Sequence, residues 1–194
     1  ASDLVIDGTT TATSLTLVHG DTVSFVLPVL ATGVHTLALA AGSLQDIQGT
    51  PLSAYSGTLT IDTTAPSVTA TSLAPGGGAA PGAISYQVTF SEPMKVSNLS
   101  SADFSLKGNG LNVSYAASTF SFDASGTVLT LNYSNLPEDN YTLTLLSGVT
   151  GGANFTDVVG NALDGEFTGS FPSGNGAAGG DFAIGFALDT ATSP

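Results

Sequence analysis

The chain repeats itself, and the order of the repeated segments limits the folds open to it. Ser2-Asp3-Leu4-Val5-Ile6-Asp7-Gly8 returns as Ala102-Asp103-Phe104-Ser105-Leu106-Lys107-Gly108. Leu30 followed by His35-Thr36-Leu37-Ala38-Leu39 returns as Leu136 followed by Tyr141-Thr142-Leu143-Thr144-Leu145. Asp46-Ile47-Gln48-Gly49 with Leu52 returns as Asp157-Val158-Val159-Gly160 with Leu163, and Ile61-Asp62-Thr63-Thr64-Ala65-Pro66 as Leu188-Asp189-Thr190-Ala191-Thr192-Ser193-Pro194. Self-similarity kept in order means one structural plan used twice. Residues 67–190 read as a whole copy, 1–62 as the later part of another, 63–66 as a linker and 191–194 as the start of the next. Nothing in the first copy matches Ser67–Leu73 and Ala83–Phe90, so it is expected to lack its first two strands.

Within each copy the apolar residues alternate with polar ones. Thr22–Leu27, His35–Leu39, Thr58–Ile61, Ser67–Leu73, Ser85–Phe90, Asp103–Leu106, Val113–Phe122, Val128–Tyr133, Tyr141–Leu145 and Phe182–Leu188 carry this period of two, the mark of half-buried strands. Gly, Asn, Asp, Ser and Pro clusters separate them, and no segment has a helical period. The chain is therefore expected to be all-β, a β-sandwich or a barrel.

Charge excludes whole classes of partner. Fifteen Asp and Glu face two lysines and no arginine, a formal net charge of −13, so a polyanion would be repelled and nucleic-acid binding is not expected. Cysteine is absent, which removes disulfides, thiolate metal sites and thiol nucleophiles. No apolar run is long enough to span a bilayer.

Phe90-Ser91-Glu92-Pro93-Met94, Ser101-Ala102-Asp103-Phe104, Tyr141-Thr142-Leu143 and Asp157–Asp164, taken in this order, resemble the bacterial Ig-like domain of S-layer and large surface proteins. The joint Asp62–Pro66 is similar to the linkers between tandem Ig-like repeats of bacterial adhesins. The resemblance implies tandem immunoglobulin-like Greek-key β-sandwiches, the first incomplete, in an extracellular, secreted or cell-surface setting, serving as spacer or adhesive modules. The partners it implies are neighbouring Ig-like repeats and surface glycans or proteins. An incomplete first repeat also admits a strand-swapped dimer. A carbohydrate-binding accessory module of a secreted hydrolase is the competing reading, with Tyr55, Tyr86, Tyr115, Tyr133 and Tyr141 as its aromatic candidates. Gly165–Gly180 departs from the pattern as a glycine-rich insertion, with Phe167 and Phe171 expected to pin it to the sandwich.

Counting strands up and down brings Asp62, Glu92, Asp157, Asp164 and Glu166 toward one pole. Five carboxylates there would suit calcium, which takes six to eight oxygen ligands. Each acid also has a plainer role. Asp157 in its Asp-x-x-Gly-Asn turn accepts backbone amides in the plain reading, and Asp62 and Asp189 form turns before proline. His19 and His35 have no nucleophile or carboxylate motif near them in sequence, and a catalytic site is not expected.

Overall fold

A computed structural model describes residues 1–148 and 155–190, without the side chain of Asn98; the expected linker at 191–194 lies outside the described residues. The chain divides into Ala1–Thr63 and Thr64–Pro194.

The first unit forms from six strands: β1 (Leu4–Ile6), β2 (Thr10–Thr11), β3 (Ser14–His19), β4 (Thr22–Val26), β5 (Gly33–Leu39) and β6 (Tyr55–Ile61). β2-β1-β5-β6 make one antiparallel sheet, and β3-β4 stand as a hairpin. The β1–β5 register sets Leu4 opposite Leu39 and Ile6 opposite Leu37, so the apolar residues of both strands share one face. Between β1 and β2 the chain reverses at Asp7 and Gly8, both at positive φ, 51° and 75°, a region open to Gly and tolerated by Asp. Only Leu4, Ile6 and Ala12 of this unit's apolar residues are buried.

The described residues of the second unit hold nine strands: β7 (Val68–Thr71), β8 (Gly78–Ala79), β9 (Gly82–Phe90), β10 (Phe104–Gly108), β11 (Val113–Tyr115), β12 (Thr119–Phe122), β13 (Val128–Leu136), β14 (Asp139–Leu145) and β15 (Phe182–Leu188). They form two sheets, β11-β10-β14-β15-β8 and β12-β13-β9-β7, antiparallel except at β15–β8. Alternate residues of both sheets meet in one core. Tyr86 of β9 packs on Phe186 of β15 with ring centroids 5.1 Å apart, and Phe104 of β10 meets Phe120 of β12 edge-on at 5.3 Å. Leu129, Leu131, Leu143 and Leu145 are fully enclosed between them. Each such side chain contributes about 1.5–3 kcal/mol by leaving water.

One expected strand is two. The alternation from Val113 to Phe122 breaks at Ala116–Ser118, where the chain leaves the five-stranded sheet as β11 and enters the four-stranded one as β12. Small residues at that corner let the strand change partners, and the inward-facing positions shift from Tyr115 and Ala117 to Phe120 and Phe122. The only helical turn among the described residues is Val96–Asn98.

Sheet order links the two units. β2-β1-β5-β6 reads like β11-β10-β14-β15, and the pair β3-β4 like β12-β13. No strand among the described residues of the first unit answers to β7, β8 or β9.

Candidate metal centre and the acidic turns

The candidate ligands of the second unit are held at two places. Asp157 follows an isolated bridge between Thr156 and Ala162 and is itself bridged to Met94. Its carboxylate is buried and accepts four hydrogen bonds. Oδ1 takes the amides of Val159 (2.9 Å), Gly160 (2.6 Å) and Asn161 (2.8 Å), and Oδ2 takes Asn161 Nδ2 at 2.7 Å. Four donors replace the water lost on burial, which is what lets a charge sit at full enclosure. Gly160 at φ +108° makes the turn that aims those amides.

Glu92 lies two residues past β9 and is half-buried. The loop carrying it is tied down on both sides: Met94 N donates to Gly126 O and Lys95 N to Thr156 O, each at 2.9 Å. This brings a Glu92 carboxylate oxygen within 4.8 Å of one on Asp157. Two carboxylates so close offer hard oxygen ligands, and among the described residues Asp157 Oδ2 accepts Asn161 Nδ2.

Asp164 and Glu166 serve the glycine-rich segment instead. Asp164 is buried, with Oδ1 accepting Asn175 N at 2.9 Å and Oδ2 accepting Gly176 N at 2.8 Å. Glu166 Oε1 accepts Asn175 Nδ2 at 3.2 Å, while its Oε2 is buried without a hydrogen-bond partner among the described residues. Side chains cannot be added opposite them: a Cβ on Gly174 would strike the Asp164 carboxyl, and one on Gly180 the Glu166 carboxyl. Ser173 completes the attachment, its hydroxyl accepting Val68 N and donating to Asp164 O, both at 2.8 Å. Phe167 and Phe171 do pin the segment, packing on each other at 4.8 Å and on Phe182 at 5.5 and 6.4 Å. Asp62 lies near the end of the first unit, immediately after β6, and is half-buried.

Other acids fix turns by the same means. Asp46 Oδ1 accepts Gln48 N and Thr50 N at 2.9 and 2.8 Å, and Asp139 accepts the amides of Gly110, Asn140 and Leu111 at 2.7–2.9 Å. Asp123 takes Thr127 N and Val128 N, each at 2.9 Å, and the Ser125 hydroxyl. The Thr50 amide for Asp46, the Ser125 hydroxyl for Asp123 and the Leu111 amide for Asp139 lead the bonds that hold these carboxyls below the usual range.

One pair escaped the sequence reading. His35 Nδ1 lies 2.7 Å from Asp7 Oδ2 and Nε2 lies 2.8 Å from Ala31 O. Two acceptors ask for two ring protons, so the Ala31 carbonyl and then Asp7 raise the imidazole's pKa. His35 first, then the Thr36 amide, lower that of Asp7. The signal was available: the repeat pairs His35 with Tyr141, whose hydroxyl donates to Pro137 O at 2.7 Å, the counterpart of Ala31 O. Burial and the neighbouring Tyr115 and Asp139 push the Tyr141 phenol up to about 12.

Comparison with known proteins gives one family match. The family described as bacterial Ig-like domain matches residues 62–173. Among solved structures, the crystal structure of an S-layer protein is similar at 17% identity and a TM-score of 0.40, over 66% of this chain and 14% of that one. No curated protein matches.

Proposed function

Because this chain belongs to the bacterial Ig-like domain family, we propose that it is a structural module of a large secreted or cell-surface bacterial protein, acting as spacer or surface-interaction domain. The observation that carries this reading is the use made of its acids. Asp46, Asp123, Asp139 and Asp157 each accept two or three backbone amides, so their chemistry goes into fixing turns rather than meeting a substrate. Tyr86, Tyr133 and Tyr141 are in the core, which leaves little aromatic surface for a sugar platform. Pulling single molecules tests the proposal: the second unit is expected to unfold as one cooperative event that recurs on relaxation. Saturable binding to a glycan array would instead favour the carbohydrate-binding reading.

Calcium is the finer part of the proposal, with Glu92 and Asp157 of the second unit as ligands, and Asp164 with Glu166 available around the open Oε2. Support comes from the approach of Glu92 to Asp157 and the remaining lone pairs on Asp157 Oδ2. Excess calcium is expected to raise the Tm over that in chelator, and Glu92→Gln to remove the difference while leaving the chelated Tm in place. Equal melting in calcium and chelator would end the calcium reading and leave the spacer role standing.

A further inference from the structure

The chain enters the second unit by β7, an edge strand bonded in its sheet to β9 alone. An edge leaves one row of amides and carbonyls without a strand to pair with. At the start of β7 the glycine-rich segment takes that row. Pro66 O accepts Asp164 N, Val68 N donates to Ser173 Oγ, and Val68 O accepts Ser173 N, each at 2.8 Å. The opposite side faces the end of β9: Ser67 O accepts Ser91 N at 2.9 Å, and Ser67 N donates to Ser91 Oγ at 3.0 Å. The entry strand is thus gripped from both sides.

The same segment is fastened to β15, the last strand among the described residues. Phe167 and Phe171 pack on Phe182 at its start, and a Cβ on Gly165 would strike Gly180 O and Phe182 N. The parallel bridges Ser67–Asp164 and Asp164–Gly179 set the starts of β7 and β15 at one pole. From there β15 runs to the other pole, about 20 Å away at ~3.3 Å per residue. At that end it pairs in parallel with β8, Ala187 with Gly78 and Leu188 with Ala79, and Asp189 N donates to Ala79 O at 3.0 Å. Entry and exit therefore lie at opposite ends of the second unit.

Tension between Thr64 and the chain beyond Leu188 acts along the strands. It draws β7 outward past its neighbours and slides β8 against β15, so the bonds of each pair are strained together instead of being peeled one after another. We propose that Gly165–Gly180 is a mechanical staple, which couples the entry strand β7 to the exit strand β15 and carries this tension. The inference rests on the spacer reading and supplies its load path. Ser173 is the link: at 6% exposure its hydroxyl accepts Val68 N and donates to Asp164 O, both at 2.8 Å. Without that hydroxyl a buried amide and a buried carbonyl lose a partner at once. Asp164 is held in turn by the amides of Asn175 and Gly176, and Phe171 passes the load to Phe182.

The test pulls the intact chain along two axes, since forced unfolding reads the unfolding rate directly. One axis runs between handles at the two ends of the chain. The other runs between Ser114→Cys on β11 and Ser121→Cys on β12, exposed positions in a chain with no cysteine of its own. Pulled by its ends, Ser173→Ala is expected to unfold the second unit about tenfold faster at a given force, through the loss of two buried bonds. Phe171→Leu is expected to act in the same direction with a smaller effect. Pulled across β11 and β12, where the load bypasses β7 and β15, neither variant changes the rate of the first rupture. An unchanged rate in end pulling overturns the staple. So does an equal change along both axes, which would assign Ser173 to general stability. In either case a cooperative event that recurs on relaxation leaves the spacer reading standing, whereas its absence from the unsubstituted chain overturns both.

Discussion

Leu37 and Leu143 occupy the same place in two versions of one strand, yet Leu143 is fully enclosed and Leu37 is half-exposed. The same holds along the neighbouring strands: Leu129 and Leu131 are at 0% exposure, while Val23 and Phe25 stand partly in water. Local grammar is alike in both units, from sheet order to the acidic turn. What differs is the second layer. Alternation and turn chemistry suffice to make strands pair, but a core closes only when β9 and β7 add their faces to β13.

Core truncation should separate the units most. Leu143→Ala is expected to cost about 2–5 kcal/mol, by lost transfer energy and the cavity left behind, and Leu37→Ala about 1 kcal/mol because water already reaches the site. Denaturant titration read by a probe in each unit checks this, and equal losses would break the comparison. The two acidic turns should differ by less. Asp157→Ala removes the acceptor of several buried donors at about 2–4 kcal/mol, whereas the exposed Asp46 turn can turn to water and should lose roughly 1 kcal/mol or less on Asp46→Ala. Smallest is a pH effect confined to the first unit. His35 has its pKa raised above 6.5, so its contribution is complete below that value and disappears as pH rises through the folded value. The first unit should therefore melt at lower temperature at about pH 8.5 than at about pH 5.5, with the second unit steady. His35→Tyr, which copies Tyr141, should abolish the difference; its survival would assign the effect to another group.

Much of the fold was legible because strands announce themselves locally. Thr22–Leu27 and Phe182–Leu188 could be read from their alternation alone. Two kinds of feature were hidden. Ser14–His19 alternates but is exposed along its length, so no buried face marked it as β3. The candidate site was half legible. Glu92 and Asp157 meet because β9 and the Asp157 turn are neighbours in a sandwich, which strand counting can foresee. Asp164 and Glu166 are drawn instead to Asn175 and Gly176, amides in a segment whose path no periodicity encodes.

The place of β15 has a practical consequence. The family match ends at Ser173, nine residues short of a strand that lies between β14 and β8. A domain excised at that boundary would lose an interior staff of its larger sheet, together with Phe182, Ile184, Phe186 and Leu188 from its centre. Cloning by homology limits would thus manufacture a sticky, unfinished protein from a sound one, and the safe cut lies beyond Leu188.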